Sequence, residues 1–219
     1  MLSKIRPIRT LVALLALSAA GASAAGDDTN AHHLIYIPSA TADATAITDA
    51  FIGQGFTVHA LTLEQGNHAA QARTVARKVR ALMADGIAAD DISVIGAGDF
   101  TALVSAATGN SHVNYVLLGG CDAQLKSQYR FRMSGNVLGI RDSADTASHS
   151  CRPLWQGSPR VHERHDQVVD TGLGAALFDK PQPAWTDPAL NWASRGTVKI
   201  GEMKVSQAER TQPSSNNGG

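Results

Sequence analysis

The run "VNYVLLGG", Val113 to Gly120, is apolar at nearly every position and has the length of a strand. A strand that shows no polar alternation is covered on both faces, as the centre strands of a parallel sheet between two helical layers are. Other runs of this kind recur along the chain: "HLIYIP" (His33 to Pro38), "FTVHAL" (Phe56 to Leu61), "DISVIGAG" (Asp91 to Gly98), "NVLGIR" (Asn136 to Arg141) and "DQVVDT" (Asp166 to Thr171). Segments of helical period separate several of them. The clearest runs from His68 to Asp85, where Ala72, Val75, Ala76, Val79, Leu82 and Met83 recur at three and four while Arg73, Arg77, Lys78 and Arg80 take the other face, and Gly86 stops it. Thr41 to Gly53, with Ile47, Ala50 and Phe51 inward, Phe100 to Thr108, with Leu103, Val104 and Ala107, and Pro183 to Ser194, with Trp185, Leu190 and Trp192, complete the helices. Strand and helix in alternation predict an α/β fold: a doubly wound, mostly parallel sheet of about six strands with helices on both faces.

The chain has 219 residues, 43% of them hydrophobic, which suits one domain with a substantial core. Its beginning reads differently from the rest. Lys4, Arg6 and Arg9 precede an apolar run from Leu11 to Ala20, and Ala22-Ser23-Ala24 has the small residues of a cleavage site. This pattern predicts a secretory signal peptide over residues 1–24, because an apolar run of about ten residues is half of what a membrane-crossing helix requires. The expected location is periplasmic or secreted, with no membrane span after cleavage. The domain is expected over 25–195. Residues 196–219, ending in "TQPSSNNGG", are expected to be a polar, disordered tail.

Loss of the leader leaves 16 basic residues against 19 acidic ones, a net charge of −3, which gives no electrostatic basis for binding nucleic acid. Both cysteines, Cys121 and Cys151, lie in the exported part. An oxidising compartment favours a disulfide between them, the alternative being two separate thiols.

Four strings, "DISVIGAG" leading into a helix, "VLLGGC", "VLGIRDSAD" and "TGLGAALFDKPQPAW", together with the order of elements from Leu34 to Trp192, resemble small secreted bacterial members of the α/β-hydrolase superfamily. The resemblance implies a catalytic triad in the chain order nucleophile, acid, histidine, with the nucleophile in G-x-S-x-G at a sharp strand-to-helix turn. At these positions the chain carries Gly98 for the nucleophile, Asp145 for the acid, with Asp142 as substitute, and Ala175 for the histidine. Either aspartate also reads as a plain turn acid. Glycine at the elbow would accept the positive φ such turns impose. The loop after the first strand, "PSA" (Pro38 to Ala40), stands where relatives have a His-Gly pair, and proline brings no N–H to an oxyanion hole. The expectation is a hydrolase fold without a working triad, no cofactor, and a binding or scaffolding role toward a small molecule or an envelope protein.

Two rival chemistries remain. Asp99, in the shifted frame "AGDFT", is an alternative nucleophile for an ester-forming hydrolase, against the simpler role of capping the helix that follows. His149, Cys151, His162, Glu163, His165 and Asp166 form a loose set of metal-ligand types, but a lone His-x-x-His spacing is a weak signal and no metal is expected. Trp155, Trp185 and Trp192 are read as core.

Overall fold

A computed structural model describes residues 32–63 and 67–195; the signal-peptide segment and the tail expected over 196–219 lie outside the described residues. Six strands, β1 (His33–Ile37), β2 (Thr57–Ala60), β3 (Ile92–Ala97), β4 (Asn114–Leu118), β5 (Ser134–Asp142) and β6 (Arg160–Val169), form one sheet in the order β2-β1-β3-β4-β5-β6. Every neighbouring pair is parallel. The protein therefore has the doubly wound α/β architecture. The chain leaves β1 toward β2 and returns to β1's other side with β3, so the order of winding reverses between β1 and β3. A crevice at the carboxyl ends of the strands forms at such a reversal, and in open α/β sheets ligands bind there.

Alternate residues along the strands feed two cores. Ile35, Ile37, Val94, Tyr115 and Leu117 pack on one face against α2 (His68–Ala84) and α3 (Gly98–Thr108). Leu34, Tyr36, Ile95, Val116 and Leu118 pack on the other against α1 (Ala44–Ile52) and α6 (Pro183–Ala193). Asp43 caps α1 by accepting the Ala46 N–H at 3.0 Å, and Asn67 caps α2 through the Ala70 N–H at 3.1 Å. Trp155, Trp185 and Trp192 are all buried, and the Trp185 indole donates to the Lys180 carbonyl at 2.9 Å. No helix among the described residues is long and apolar enough to cross a membrane.

Some boundaries differ from the expected ones. β6 begins at Arg160, six residues before the predicted start at Asp166. Its first half, "RVHERH", carries charges on both faces, a pattern that hides a strand from a search for apolar runs. An edge strand has one hydrogen-bonded neighbour and much exposed surface, so it tolerates these side chains, and they discourage pairing with other chains. Two short helices, α4 (Leu125–Tyr129) and α5 (Arg152–Trp155), have too few turns to show a period. Ser105, inside α3, and Ser134, at the start of β5, are both buried and clasp each other: the Ser105 hydroxyl donates to the Ser134 carbonyl at 2.6 Å, and the Ser134 hydroxyl to the Ser105 carbonyl at 2.7 Å. These hydroxyls satisfy backbone groups and are committed to structure.

Cys121, just after β4, and Cys151, just before α5, form a disulfide with their Cα atoms 4.8 Å apart. The bond lies on the α2/α3 side of the sheet, where both cysteines are buried with Leu154 and Trp155.

Candidate functional site

The turn from β3 into α3 is not the strained elbow that the sequence suggested. Gly98 is the first residue of α3, and its φ is not among the positive values of the described glycines. Glycine stands there for lack of space. A Cβ on Gly98 would lie 1.9 Å from the Gly120 carbonyl oxygen and 3.0 Å from the Cys121 Sγ. The left-handed residues are instead Gly119 and Gly120, each at φ +77, which fold the end of β4 back across the first turn of α3. That loop is fixed by the disulfide and by the Cys121 N–H donating to the His149 carbonyl at 3.0 Å.

Asp99 does not cap α3, whose start has no side-chain cap. Its carboxylate accepts the Asp122 N–H at 2.7 Å and so ties the helix to the loop beyond the disulfide. Burial pushes the Asp99 carboxyl up from its ordinary range, opposed by that N–H bond; the nearby Asp122 charge adds to the rise and His68 counters it.

The two candidate acids have different surroundings. Asp142, at the end of β5, is fully buried and accepts hydrogen bonds from the Thr171 hydroxyl, the Thr171 N–H at 3.3 Å and the Ala144 N–H at 2.8 Å. Those donors, the Thr171 hydroxyl first and the Ala144 N–H next, hold its carboxyl below the ordinary range against the effect of burial. Its geometry is that of a clasp between the ends of β5 and β6. A carboxyl depressed in the folded state stabilises the protein above its unfolded value, near 4, and that contribution is lost as pH falls through the folded value. Thr171→Val removes the leading donor, so its acid-unfolding midpoint, followed by circular dichroism, is expected at higher pH than wild type. The difference between the two proteins should shrink once both carboxyls are protonated.

Asp145 is half-buried and closes its own turn, accepting the Ala147 N–H at 3.2 Å, the Ser148 N–H at 3.3 Å and the Ser148 hydroxyl at 2.5 Å. The loop after β6 packs against it: a Cβ on Gly174 would lie 3.8 Å from the Ala144 carbonyl carbon and the Asp145 nitrogen. Asp145 and Ala175 thereby line one cleft of about 260 Å³, together with Ala97, Gly119, Leu118 and Phe178. It lies at the carboxyl ends of the strands, where the winding reverses. Gly98 does not line this cleft; the residue of the turn that does is Ala97.

The β1 side of the cleft supplies groups that sequence reasoning missed: Tyr36, Ser39, Thr41 and, from the stretch after β6, Asp179. The Thr41 hydroxyl donates to Asp179 at 2.5 Å, the Ser39 and Thr41 hydroxyls lie 3.3 Å apart, and the Asp43 N–H donates to the Asp179 carbonyl at 2.7 Å. Burial, with the Asp179 charge second, pushes the Tyr36 phenol up to about 12. A strand residue at the carboxyl end of β1 was open to notice, since the winding rule points there. Nothing in "LFDKP" marks Asp179 as its neighbour.

A second, shallower cleft of about 340 Å³ on the disulfide side is lined by Asp99, Asp122, Ser148 and His149. Two imidazole–carboxylate pairs, His32 with Asp91 at 3.5 Å and His112 with Asp90 at 3.3 Å, lie at strand beginnings, the opposite end of the sheet. The loose metal-type set is dispersed. Cys151 is in the disulfide, the His162 ring lies 5.7 Å from His112, Asp166 accepts the Ser150 hydroxyl, and His165 faces a groove beside α6. Glu163 pairs with Arg195. Among the described residues no three His, Cys, Asp or Glu side chains are grouped to hold a metal ion.

No family model matches the chain. No curated protein matches it either. Solved structures similar to it include an α/β hydrolase, a thioesterase and a sugar hydrolase. An α/β hydrolase from a Medee basin deep-sea metagenome library matches with a TM-score of 0.48 and 14% identity, over 77% of this chain and 85% of that one. The thioesterase of the prodiginine biosynthetic pathway in Streptomyces coelicolor matches with a TM-score of 0.48 and 11% identity, over 75% and 90%. A sugar hydrolase from Lactococcus lactis matches with a TM-score of 0.43 and 15% identity, over 75% and 88%.

Proposed function

We propose that the protein is an exported, hydrolase-like protein without hydrolytic activity, which binds a small molecule in the cleft between the ends of β1 and β3. One observation carries the reading: the space a nucleophile's side chain would need at Gly98 is taken by the Gly120 carbonyl, 1.9 Å from a Cβ placed there. A methyl group at Ala175 stands where the resemblance calls for an imidazole, and a methyl group cannot move a proton. The cleft nevertheless remains open beside Ala97 and Ala175, with polar groups on its β1 side. Export is inferred from the leader pattern, and the disulfide is consistent with an oxidising compartment.

The purified protein lacking residues 1–24 is expected to show neither labelling by a fluorophosphonate probe nor turnover of a short-chain activated ester above a buffer blank. Labelling of any serine would overturn the reading. Ligand binding should raise the thermal midpoint by mass action, by about 2.7 kcal/mol of stability at a hundredfold excess over Kd.

A second reading, a hydrolase using Asp99, is favoured by the shared cleft of Asp99 and His149. Against it, one Asp99 oxygen is already engaged by the Asp122 N–H, and a carboxylate at that place repels a forming oxyanion. Ester turnover abolished by Asp99→Asn would establish this reading in place of the first.

A further inference from the structure

We propose that the cleft between β1 and β3 selects a compact ligand carrying a primary ammonium group, seated against Asp179, Tyr36 and Ser39. The inference deepens the binding reading above and rests on it. Two carboxylates, Asp145 and Asp179, line the cleft, and no lysine, arginine or histidine is among its described lining residues. Carboxylate and phosphate ligands are therefore repelled, and a cation is attracted in a partly dehydrated space.

The demand of individual atoms narrows the class further. Asp145 Oδ1 accepts two N–H groups of its own turn, and its Oδ2 lies against the Ser148 hydroxyl, whose single proton the Gly119 carbonyl also draws. At Asp179 only Oδ1 is engaged, by the Thr41 hydroxyl, which leaves Oδ2 to accept. Tyr36 is 1% exposed and lines the cleft, and its hydroxyl makes no hydrogen bond to any described residue. The hydroxyl is open to the cleft and not sealed off from it, so a ligand that reaches it bonds it in place of water. Ser39 completes the set with a hydroxyl next to Thr41. An –NH₃⁺ group has three donors and no acceptor, and Asp179 Oδ2, Tyr36 Oη and Ser39 Oγ are three acceptors on one side of the cleft. At about 260 Å³ the space is below the roughly 300–1,000 Å³ of drug-sized sites, so the group is carried on a short body.

The test compares n-propylammonium, 1-propanol and propanoate, matched in size, by titration calorimetry on the protein lacking residues 1–24 at neutral pH. Only n-propylammonium is expected to bind. Its affinity should fall roughly tenfold or more in Asp179→Asn, which loses the charge, and measurably in Tyr36→Phe. Tyr36→Phe removes a hydroxyl without a protein partner and is expected to keep the thermal midpoint, so it guards against a folding defect in the Asp179 variant. Ala97→Phe, which fills the cleft, should abolish binding. Ammonium binding that survives both Asp179→Asn and Tyr36→Phe overturns the proposal, as does an absence of ammonium binding. Binding of propanol or propanoate that Ala97→Phe abolishes overturns the ammonium class but leaves the binding reading standing. If none of the three compounds, nor any hit from a broader small-molecule screen, is sensitive to Ala97→Phe, the binding reading fails as well.

Discussion

Gly98→Ser, the substitution that would restore a serine to the expected nucleophile position, is expected to destabilise the protein by about 3 kcal/mol or more and to restore no activity. The first atom of any side chain at this position would sit 1.9 Å from the Gly120 carbonyl oxygen. Overpacking is usually relieved by rotation of a flexible neighbour. Here the neighbour is backbone, in a loop held by the disulfide and by the Cys121 N–H to His149 carbonyl bond. The control is one residue away: Ala97 is exposed and faces the cleft, so Ala97→Ser should change stability by less than about 0.5 kcal/mol. Urea unfolding of the two variants measures the contrast. A wild-type midpoint for Gly98→Ser, with a labelled serine, would show that the loop yields and that the elbow can still present a nucleophile. The pair Gly98→Ser with Ala175→His is expected to remain unlabelled for the same reason.

Removing the disulfide should have an effect of similar size. The bridge closes a separation of 30 residues, and constraint of the unfolded chain over such a loop is worth about 3–4 kcal/mol. For a domain of this length that corresponds to a fall of about 10 °C in Tm for Cys121→Ser with Cys151→Ser. A reductant should produce the same fall in the wild type and none in the variant. The two effects are also coupled, because the disulfide holds the loop that blocks position 98. In a double-mutant cycle the cost of Gly98→Ser should be smaller by about 0.5 kcal/mol or more when the disulfide is absent. Strict additivity would mean that the bridge does not fix the Gly120 carbonyl.

The centre of the sheet was legible because "VNYVLLGG" and "DISVIGAG" lie under both helical layers, and burial on two faces leaves its signature in composition. β6 was half-hidden because an edge strand needs no such composition, and "RVHERH" satisfies the ladder with backbone alone. At the site, Asp145 and Ala175 were found from local strings, and both line the cleft. Asp99 was found too but given the wrong partner: a cap is a contact three residues away, whereas its acceptor role is met by Asp122, 23 residues on. Tyr36 and Asp179, 143 positions apart, left no shared signal in the sequence.

By itself the sequence determined the parallel α/β class, the burial of the strands, the pairing options for two cysteines, and the absence of serine and histidine side chains at two expected places. Periodicity and residue identity are local properties, so they survive in one dimension. Only the tertiary structure decided why glycine stands at position 98, which residue of the turn faces the cleft, and which distant hydroxyls and carboxylates share it. Those are matters of distance between segments joined through the sheet, set by register and by the disulfide-held loop, and no residue's own neighbours in the chain encode them.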